Sequence, residues 1–450
     1  VSRLAGWVWY AVEMSRDLQH LGLDRRAFLA AAGLAVASPW GAAGRAAAAA
    51  PGAKGADRVF GVGIIGMGKR AFELIGPLLN RADCRVVGIC DVDGSRRAAG
   101  VKIVEEHAAK KGGGSAAGCR SYVDYREMLS AAGLDAVVIA TPDHWHVNQV
   151  LDAAKAKKDI YCEKPLTLVL EEGRRMIRAV RKYDVVFQTG SQQRTEYEHR
   201  FVSACEAVRN GRLGRLFHVY VGVGLPSKPC DLPGEKEEPG LDWDRWLGPA
   251  PARAYHSELS PRGVHRHYPN WRLYREYSGG MMTDFGAHNF DIAQWALDAD
   301  DGGPVEVIPP ADAKAEYGCR LVYPSGLEVI HGGPAGVTFV GEKGTLHVWR
   351  DKTVAIPEEV GKPLREREKP LPRKKSHLDD WFDCMRSRQK CICDVEVGAR
   401  SNACAQLCNL AYWHRRKLKW DPRAWEFPGD AEANRWMDYE RRKGYEMPNV

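Results

Sequence analysis

The sequence predicts an α/β protein with a doubly wound parallel sheet in its N-terminal half and a second domain laid over it. Three observations carry this prediction. Apolar, β-branched runs alternate with helical runs from Val59 to Gln188. The first run leads through a glycine-rich turn, Gly66-Met67-Gly68-Lys69-Arg70-Ala71, into a helix. Gly66, Asp91, Thr141, His146 and Lys164 all fall at the carboxyl ends of these strands, where such sheets hold their ligands.

Length and composition set the bounds. The chain has 450 residues, too many for one ordinary core. The reading divides it into a leader and linker (1–55), a doubly wound domain (56–190), a second domain (191–420) and a tail (421–450). With 44% hydrophobic and 27% charged residues it is globular rather than disordered. The net charge of +7 is spread among interleaved acids without a basic block, which speaks against nucleic acid as a partner. The cysteines lack zinc-ribbon spacing. The densest group, Cys384, Cys391, Cys393, Cys404 and Cys408, reads as buried small hydrophobes, and no metal is assigned.

The leader carries Asp24-Arg25-Arg26-Ala27-Phe28-Leu29 before a short apolar run to Ala37, with alanine-rich cleavage sites ending near Ala50. This resembles a twin-arginine (Tat) export signal and is too short for a membrane span. It predicts a periplasmic protein. Met14 is a candidate start residue. The Tat route moves folded proteins into a space without a soluble nicotinamide pool, so an exported dinucleotide enzyme is expected to carry its cofactor tightly bound.

Element by element, Val59 to Ile65 is the first strand. The turn after it has the form G-x-G-x-x-A. Gly66 allows the tight turn, Gly68 the approach of backbone to a pyrophosphate, and Ala71 close helix–strand packing. The helix start, with Lys69 and Arg70, offers N–H groups to phosphate. The second strand, Arg85 to Cys90, ends in Asp91, 25 residues beyond Gly66, placed to accept ribose hydroxyls. That favours NAD, with NADP as the alternative through Arg96 and Arg97. Ala136 to Ala140 is a further strand ending in Thr141-Pro142-Asp143-His144-Trp145-His146. A helix to Lys157 and strand Asp159 to Cys162 lead into Glu163-Lys164-Pro165, where Pro165 is a candidate for a cis peptide. Helix Leu170 to Lys182 and strand Val185 to Gln188 complete the half.

In the second half, strands are expected at Leu216 to Val223, Ala315 to Tyr323, Leu327 to His331 and Thr345 to Arg350, with a hairpin around Pro324-Ser325-Gly326. Helices at His377 to Arg388 and Val395 to Arg415 are expected to close this domain, and the tail to wrap its surface. Residues 225–280 are a long irregular stretch rich in Pro, Gly, Trp, Tyr and His, usually a functional one or an oligomer arm. Asp284, His288 and Asp291 are spaced i, i+4, i+7 on one helical face. On spacing alone this is a cap and a satisfied histidine, a divalent metal site, or a general base positioned by an acid.

The G-x-G-x-x-A turn, the Thr-Pro-x-x-x-His segment at 141–146 and Glu163-Lys164-Pro165 together resemble the Gfo/Idh/MocA family, which includes glucose–fructose oxidoreductase and inositol dehydrogenase. The resemblance covers about residues 56–420. It implies a Rossmann domain followed by an α/β domain with an open, mostly antiparallel sheet that serves substrate binding and oligomerisation, and a homo-oligomer, dimer or tetramer. It implies a cofactor site of Gly66, Gly68, Lys69, Arg70, Ala71, Asp91, Thr141, Pro142, His146, Glu163 and Lys164. It also lifts the base reading above the other two, giving a catalytic set of Lys164, Asp284 and His288 in which Asp284 orients His288. Gln193, Arg194, Tyr268, Trp271 and Arg272 are candidate sugar contacts beside Asp284 and His288. The implied activity is oxidation or reduction of a sugar or cyclitol hydroxyl with NAD(P). Two alternatives are an NAD-dependent glycoside hydrolase working by transient oxidation and elimination, and a non-catalytic sugar-binding protein on a Rossmann scaffold.

Overall fold

The computed structural model describes residues 58–111 and 118–450. The leader, with its paired arginines, lies outside the described residues.

Six strands form the first sheet: β1 (Phe60–Ile65), β2 (Cys84–Cys90), β3 (Arg120–Tyr122), β4 (Ala136–Ile139), β5 (Asp159–Cys162) and β6 (Phe187–Thr189). Their order is β3-β2-β1-β4-β5-β6, all parallel. β1, β4 and β5 are buried along their whole length, as parallel strands covered on both faces must be. The order reverses between β1 and β4, so the crevice outside their carboxyl ends is the place for a ligand.

The second sheet has eight strands: β7 (Leu216–Gly222), β8 (Glu306–Ile308), β9 (Arg320–Val322), β10 (Glu328–His331), β11 (Gly336–Gly341), β12 (Gly344–Val348), β13 (Thr353–Ile356) and β14 (Leu418–Lys419). Their order is β13-β12-β11-β7-β10-β9-β8-β14. Only β7 and β10 pair in parallel; every other neighbour is antiparallel. The expected hairpin is β9–β10, with Leu321 opposite Val329. One face of this sheet packs on helices Gly286–Ala296 and Val395–His414, through Val219, Val329 and Phe339 on the strands and Phe290 and Leu407 on the helices.

Three placements differ from the sequence reading. Helix His377–Ser387 does not close the second domain. Its Trp381 and Phe382 join the core against the first sheet, where Phe382 meets Phe60 edge-on at 5.8 Å and Trp381 meets Tyr161 at 5.6 Å. The following segment runs beside β6, with Thr189 N donating to Cys393 O at 2.7 Å. The tail also returns to the first half: Arg441 pairs with the buried Glu172 at 2.7 Å, and Asn148 Nδ2 donates to Tyr445 O at 3.0 Å. Finally, Asp284 and His288 do not share one helix. Met281–Asp284 is a separate turn, and Gly286–Ala296 starts after Phe285.

No helix among the described residues is long and apolar enough to cross a membrane.

Candidate active site

A cavity of about 710 Å³ opens at the carboxyl ends of β1, β2, β4 and β5 and is closed on its far side by residues of the second half. Its floor is the glycine turn. Gly66 has φ +86°, and a Cβ there would come within 2.9 Å of the Ala140 backbone, so only glycine makes this turn without strain. Gly68 differs: a Cβ there meets nothing within 4 Å and would project into open space. That space, at the start of helix Lys69–Leu79, is a cradle of the kind a pyrophosphate fills, and Gly68 keeps it clear. Ala71 is fully buried under this helix and does not line the cavity; its small side chain serves the packing.

Around this floor the predicted cofactor residues are tied to one another. Asp91 Oδ2 accepts from Met67 N at 2.6 Å and Oδ1 from Asp93 N at 2.8 Å. Burial pushes Asp91 upward, against the pull of Arg96 and these N–H groups. Arg70 Nε donates to Glu163 Oε1 at 2.8 Å, joining the glycine-turn helix to the end of β5, while Lys69 pairs with Glu73. Arg96 and Arg97, the candidates for a 2′-phosphate, are already engaged. Arg96 donates to Gly263 O at 3.1 Å and Ser260 Oγ at 3.2 Å, and Arg97 donates to Asp91 O at 2.6 Å. Thr141 and Pro142 line the cavity, whereas His146 lies behind it. His146 is wedged between Pro165 O at 2.9 Å and Thr141 O at 3.1 Å, and burial lowers its pKa. It holds the two loop ends together. The Lys164–Pro165 peptide is cis.

At the other end the two halves meet. Lys164 Nζ donates to both the carbonyl and Oδ1 of Asp284, each at 2.9 Å. Arg272 Nε lies 3.5 Å from the same Oδ1. Burial alone would raise Asp284, but these two cations outweigh it and hold the carboxyl below its ordinary value. The expected Asp284–His288 pairing is therefore replaced by an Asp284–Lys164 pairing. His288 is buried at the cavity wall, and its Nδ1 has no hydrogen-bond partner among the described residues. Burial, then the charges of Lys164, Arg350 and Arg70, depress its pKa well below the usual histidine value. The imidazole is neutral, with a nitrogen to spare.

The remaining candidates divide. Tyr268, Trp271 and Arg272 line the cavity; Tyr268 reaches across to donate to Glu73 at 3.0 Å. Gln193 and Arg194 do not. Gln193 is buried against Asn289, and Arg194 is locked to Asp291 at 2.7 and 2.9 Å and to Asp300 at 2.7 and 2.8 Å. A guanidinium so paired inside the core is a structural clamp rather than a sugar contact. Asp291 is consumed by the same clamp, so the Asp284-His288-Asp291 spacing does not converge on a metal. The cysteine group behaves as expected of buried hydrophobes: Cys384, Cys391, Cys393, Cys404 and Cys408 are all buried free thiols. Among the described residues, Asp380, Cys384 and Cys391 alone cluster like metal ligands, but Asp380 already accepts from Lys374, Gln188 and Ile392 N.

Sequence reasoning passed over several lining residues. Asp143 is fully buried, accepts from Ser278 Oγ at 2.6 Å, and is pushed up to about 7 by burial. It follows Thr141-Pro142 directly, so its position at a strand end was a usable signal. Tyr197, Arg350 and Tyr445 come from a turn, a strand end and the tail, and nothing local marks them.

The comparisons with known proteins agree with this architecture. Residues 60–191 match the oxidoreductase-family NAD-binding Rossmann fold, and residues 228–447 match that family's C-terminal alpha/beta domain. Myo-inositol 2-dehydrogenase of Thermotoga maritima is 32% identical over 260 residues, 54% of this chain and 65% of that protein. 1,5-Anhydro-D-fructose reductase of Ensifer adhaerens is 27% identical over 247 residues, 55% of this chain and 58% of that protein. The chain thus spans about half to two thirds of the length of these curated relatives. Among solved structures, the WlbA dehydrogenase from Bordetella pertussis, in complex with NADH and UDP-GlcNAcA, aligns with a TM-score of 0.55 at 20% identity, covering 80% of this chain and 99% of that one. By its two matched domains and the site they enclose, the chain belongs to the Gfo/Idh/MocA oxidoreductase family.

Proposed function

We propose that this protein is an oxidoreductase that moves a hydride between bound NAD and a hydroxyl-bearing carbon of a sugar or cyclitol. The observation that carries this reading is one meeting of side chains. Lys164, from the end of β5, joins Asp284 from the second half beside a neutral His288 whose Nδ1 has no hydrogen-bond partner among the described residues, in the same cavity as the Gly66–Gly68 turn. When bound, the nicotinamide supplies the hydride acceptor or donor. His288 takes the hydroxyl proton, since its depressed pKa keeps it in the unprotonated state a base needs. Lys164 has three N–H donors and spends two on Asp284, leaving one for the reacting oxygen, where it stabilises developing negative charge. Asp284 positions Lys164. Tyr268, Trp271 and Arg272 flank the sugar or the nicotinamide ribose.

NAD is favoured over NADP because Asp91 stands at the end of β2 and the nearby Arg96 and Arg97 are occupied with backbone carbonyls. Tight binding is supported by the stretch that covers the cleft. Gly94 N donates to Gly240 O and Asp242 N to Val92 O, each at 3.0 Å, and Leu259, His265 and Tyr268 line the cavity from above. Twin-arginine export and a homo-oligomeric state belong to the same proposal, the first resting on the leader and the second on the family resemblance.

The test is a panel of sugars and cyclitols added to the purified protein while the absorbance of its nicotinamide is followed. The reading expects at least one of them to change the redox state in wild type and fail to do so in His288→Gln. A His288→Gln protein that still binds cofactor and turns over normally would contradict it.

A further inference from the structure

Among the described residues, each lysine and arginine lining the cavity other than Arg350 is ion-paired. Lys69 and Arg70 pair with Glu73, Arg96 with Asp93, Arg126 with Asp152, Lys164 and Arg272 with Asp284, and Arg245 with Asp242. Arg350 has no carboxylate partner among the described residues, and its buried Nε has no hydrogen-bond partner there either. Leaving a guanidinium unpaired beside a largely enclosed space is unfavourable unless something else answers its charge.

The surroundings of Arg350 look built to hold it there. Its guanidinium lies 5.0 Å from the Tyr197 ring centre, 5.2 Å from that of Phe285 and 5.5 Å from that of Trp349. Aromatic faces against a guanidinium leave its donor edge free for a partner in its own plane. The turn that delivers Tyr197 is strained: Tyr197, Glu198 and His199 have φ of +59°, +54° and +58°, a left-handed run that side chains with a Cβ rarely sustain. Arg200 braces it, donating to Tyr197 O at 3.4 Å and to Arg350 O at 3.1 Å, so that one side chain ties both residues in place. Phe285 then links this corner to the reacting groups. Lys164 Nζ lies 5.8 Å from the Phe285 ring centre, and the His288 ring 6.5 Å from it.

We propose that Arg350, held by Tyr197, Phe285 and Trp349, is a subsite for a carboxylate on the substrate, which makes the substrate a sugar acid such as a hexuronate rather than a neutral sugar. This deepens the hydride-transfer reading above and rests on it for the identity of the ligand as a sugar. A carboxylate fits better than a phosphate, because one planar guanidinium matches two in-plane oxygens and, among the described residues that line the cavity, every other lysine and arginine is ion-paired. Arg350, Lys164 and His288 thus all gather around the one Phe285 ring, at 5.2, 5.8 and 6.5 Å from its centre, so the acid group would lie across that ring from the reacting groups.

The experiment is calorimetric binding to the purified protein with its dinucleotide. D-glucuronate and D-galacturonate are compared with glucose, galactose and glucose 6-phosphate, in wild type, Arg350→Met and Arg350→Lys. At least one hexuronate is expected to bind ten-fold or more tighter than its parent hexose. Arg350→Met should cut that ratio by about ten- to a hundred-fold, the worth of a charged hydrogen bond, and Arg350→Lys should restore part of it. Equal binding of uronates and hexoses by wild type, a ratio unmoved by Arg350→Met, or a preference for the 6-phosphate would overturn the proposal. The wild-type comparison decides even if a variant fails to fold. Nicotinamide absorbance is read in parallel. Arg350-dependent uronate binding with no redox change from any sugar would sink hydride transfer and leave the subsite standing.

Discussion

Lys164 and His288 line the same cavity, and the proposed hydride transfer gives them different tasks that their surroundings support. The carboxylate beside Lys164 fixes the direction of its donor group; burial, with the three cations around His288, keeps that imidazole neutral. Replacing His288 by Gln keeps the volume and removes the base. Turnover should fall about 10²- to 10⁴-fold in single-turnover measurements, with the dinucleotide retained. Asp143 offers a second test at this scale. Its pKa is raised by burial to about 7, so the folded protein holds that proton more tightly than the unfolded chain does. The resulting stability is complete below the ordinary aspartate pKa and is lost as pH rises towards 7. Relative to Asp143→Asn, wild type should lose about 1.4 kcal/mol per pH unit between about pH 4 and pH 7 in denaturation experiments. Parallel curves for the two proteins would show that Asp143 does not titrate this way. Residues in local motifs were legible: Lys164 follows a strand and sits in Glu-Lys-Pro, and His288 stands in a patterned helix. Gln193 and Arg194 misled because adjacency to a strand end says nothing about which way a side chain turns, and Asp291 and Asp300 draw Arg194 inward.

The glycine turn is the element on which the cofactor reading depends, and its two glycines separate folding from binding. Gly66→Ala places a Cβ against the Ala140 backbone at positive φ and should cost about 1–2 kcal/mol in φ strain alone, with further loss from the clash. Gly68→Ala adds a methyl group to open space. It should shift stability by no more than about 1 kcal/mol while weakening dinucleotide binding ten-fold or more. Thermal denaturation and dinucleotide titration check the pair; equal effects of both substitutions on binding and folding would contradict this division. The buried strands β1, β4 and β5 and the helices between them were readable because parallel strands are apolar throughout and the period then changes. Strands β3, β8, β13 and β14 were not: they are two to four residues long and carry exposed or half-exposed positions. β11 was missed too, despite its buried positions, because Gly332, Gly333 and Gly336 break the apolar run at its start. Helix His377–Ser387 was seen as a helix but not as part of the first core, because its periodicity shows an apolar face without showing which sheet receives it.

Across the whole molecule, the second half does more than line the far side of the cavity. The irregular stretch between β7 and β8 folds over the dinucleotide cleft, pinned through Arg96 to Ser260 and Gly263, and the tail brings Gly444 and Tyr445 to its rim. Such long-range closure has no local signal, and the sequence marked the stretch as long and irregular, with Tyr268, Trp271 and Arg272 as candidate contacts, but not as a cover. If the cover retains the cofactor, Arg96→Leu should speed dinucleotide exchange ten-fold or more, measured by displacement with a labelled dinucleotide. An unchanged rate would place retention elsewhere. The central claim, that the fold carries its own nicotinamide cofactor at this site, meets its most direct test in denaturing the native purified protein and identifying what it releases. The account predicts NAD or NADH in near one-to-one ratio with the chain. A protein that releases no nucleotide, and binds neither NAD nor NADP when they are added, would contradict it.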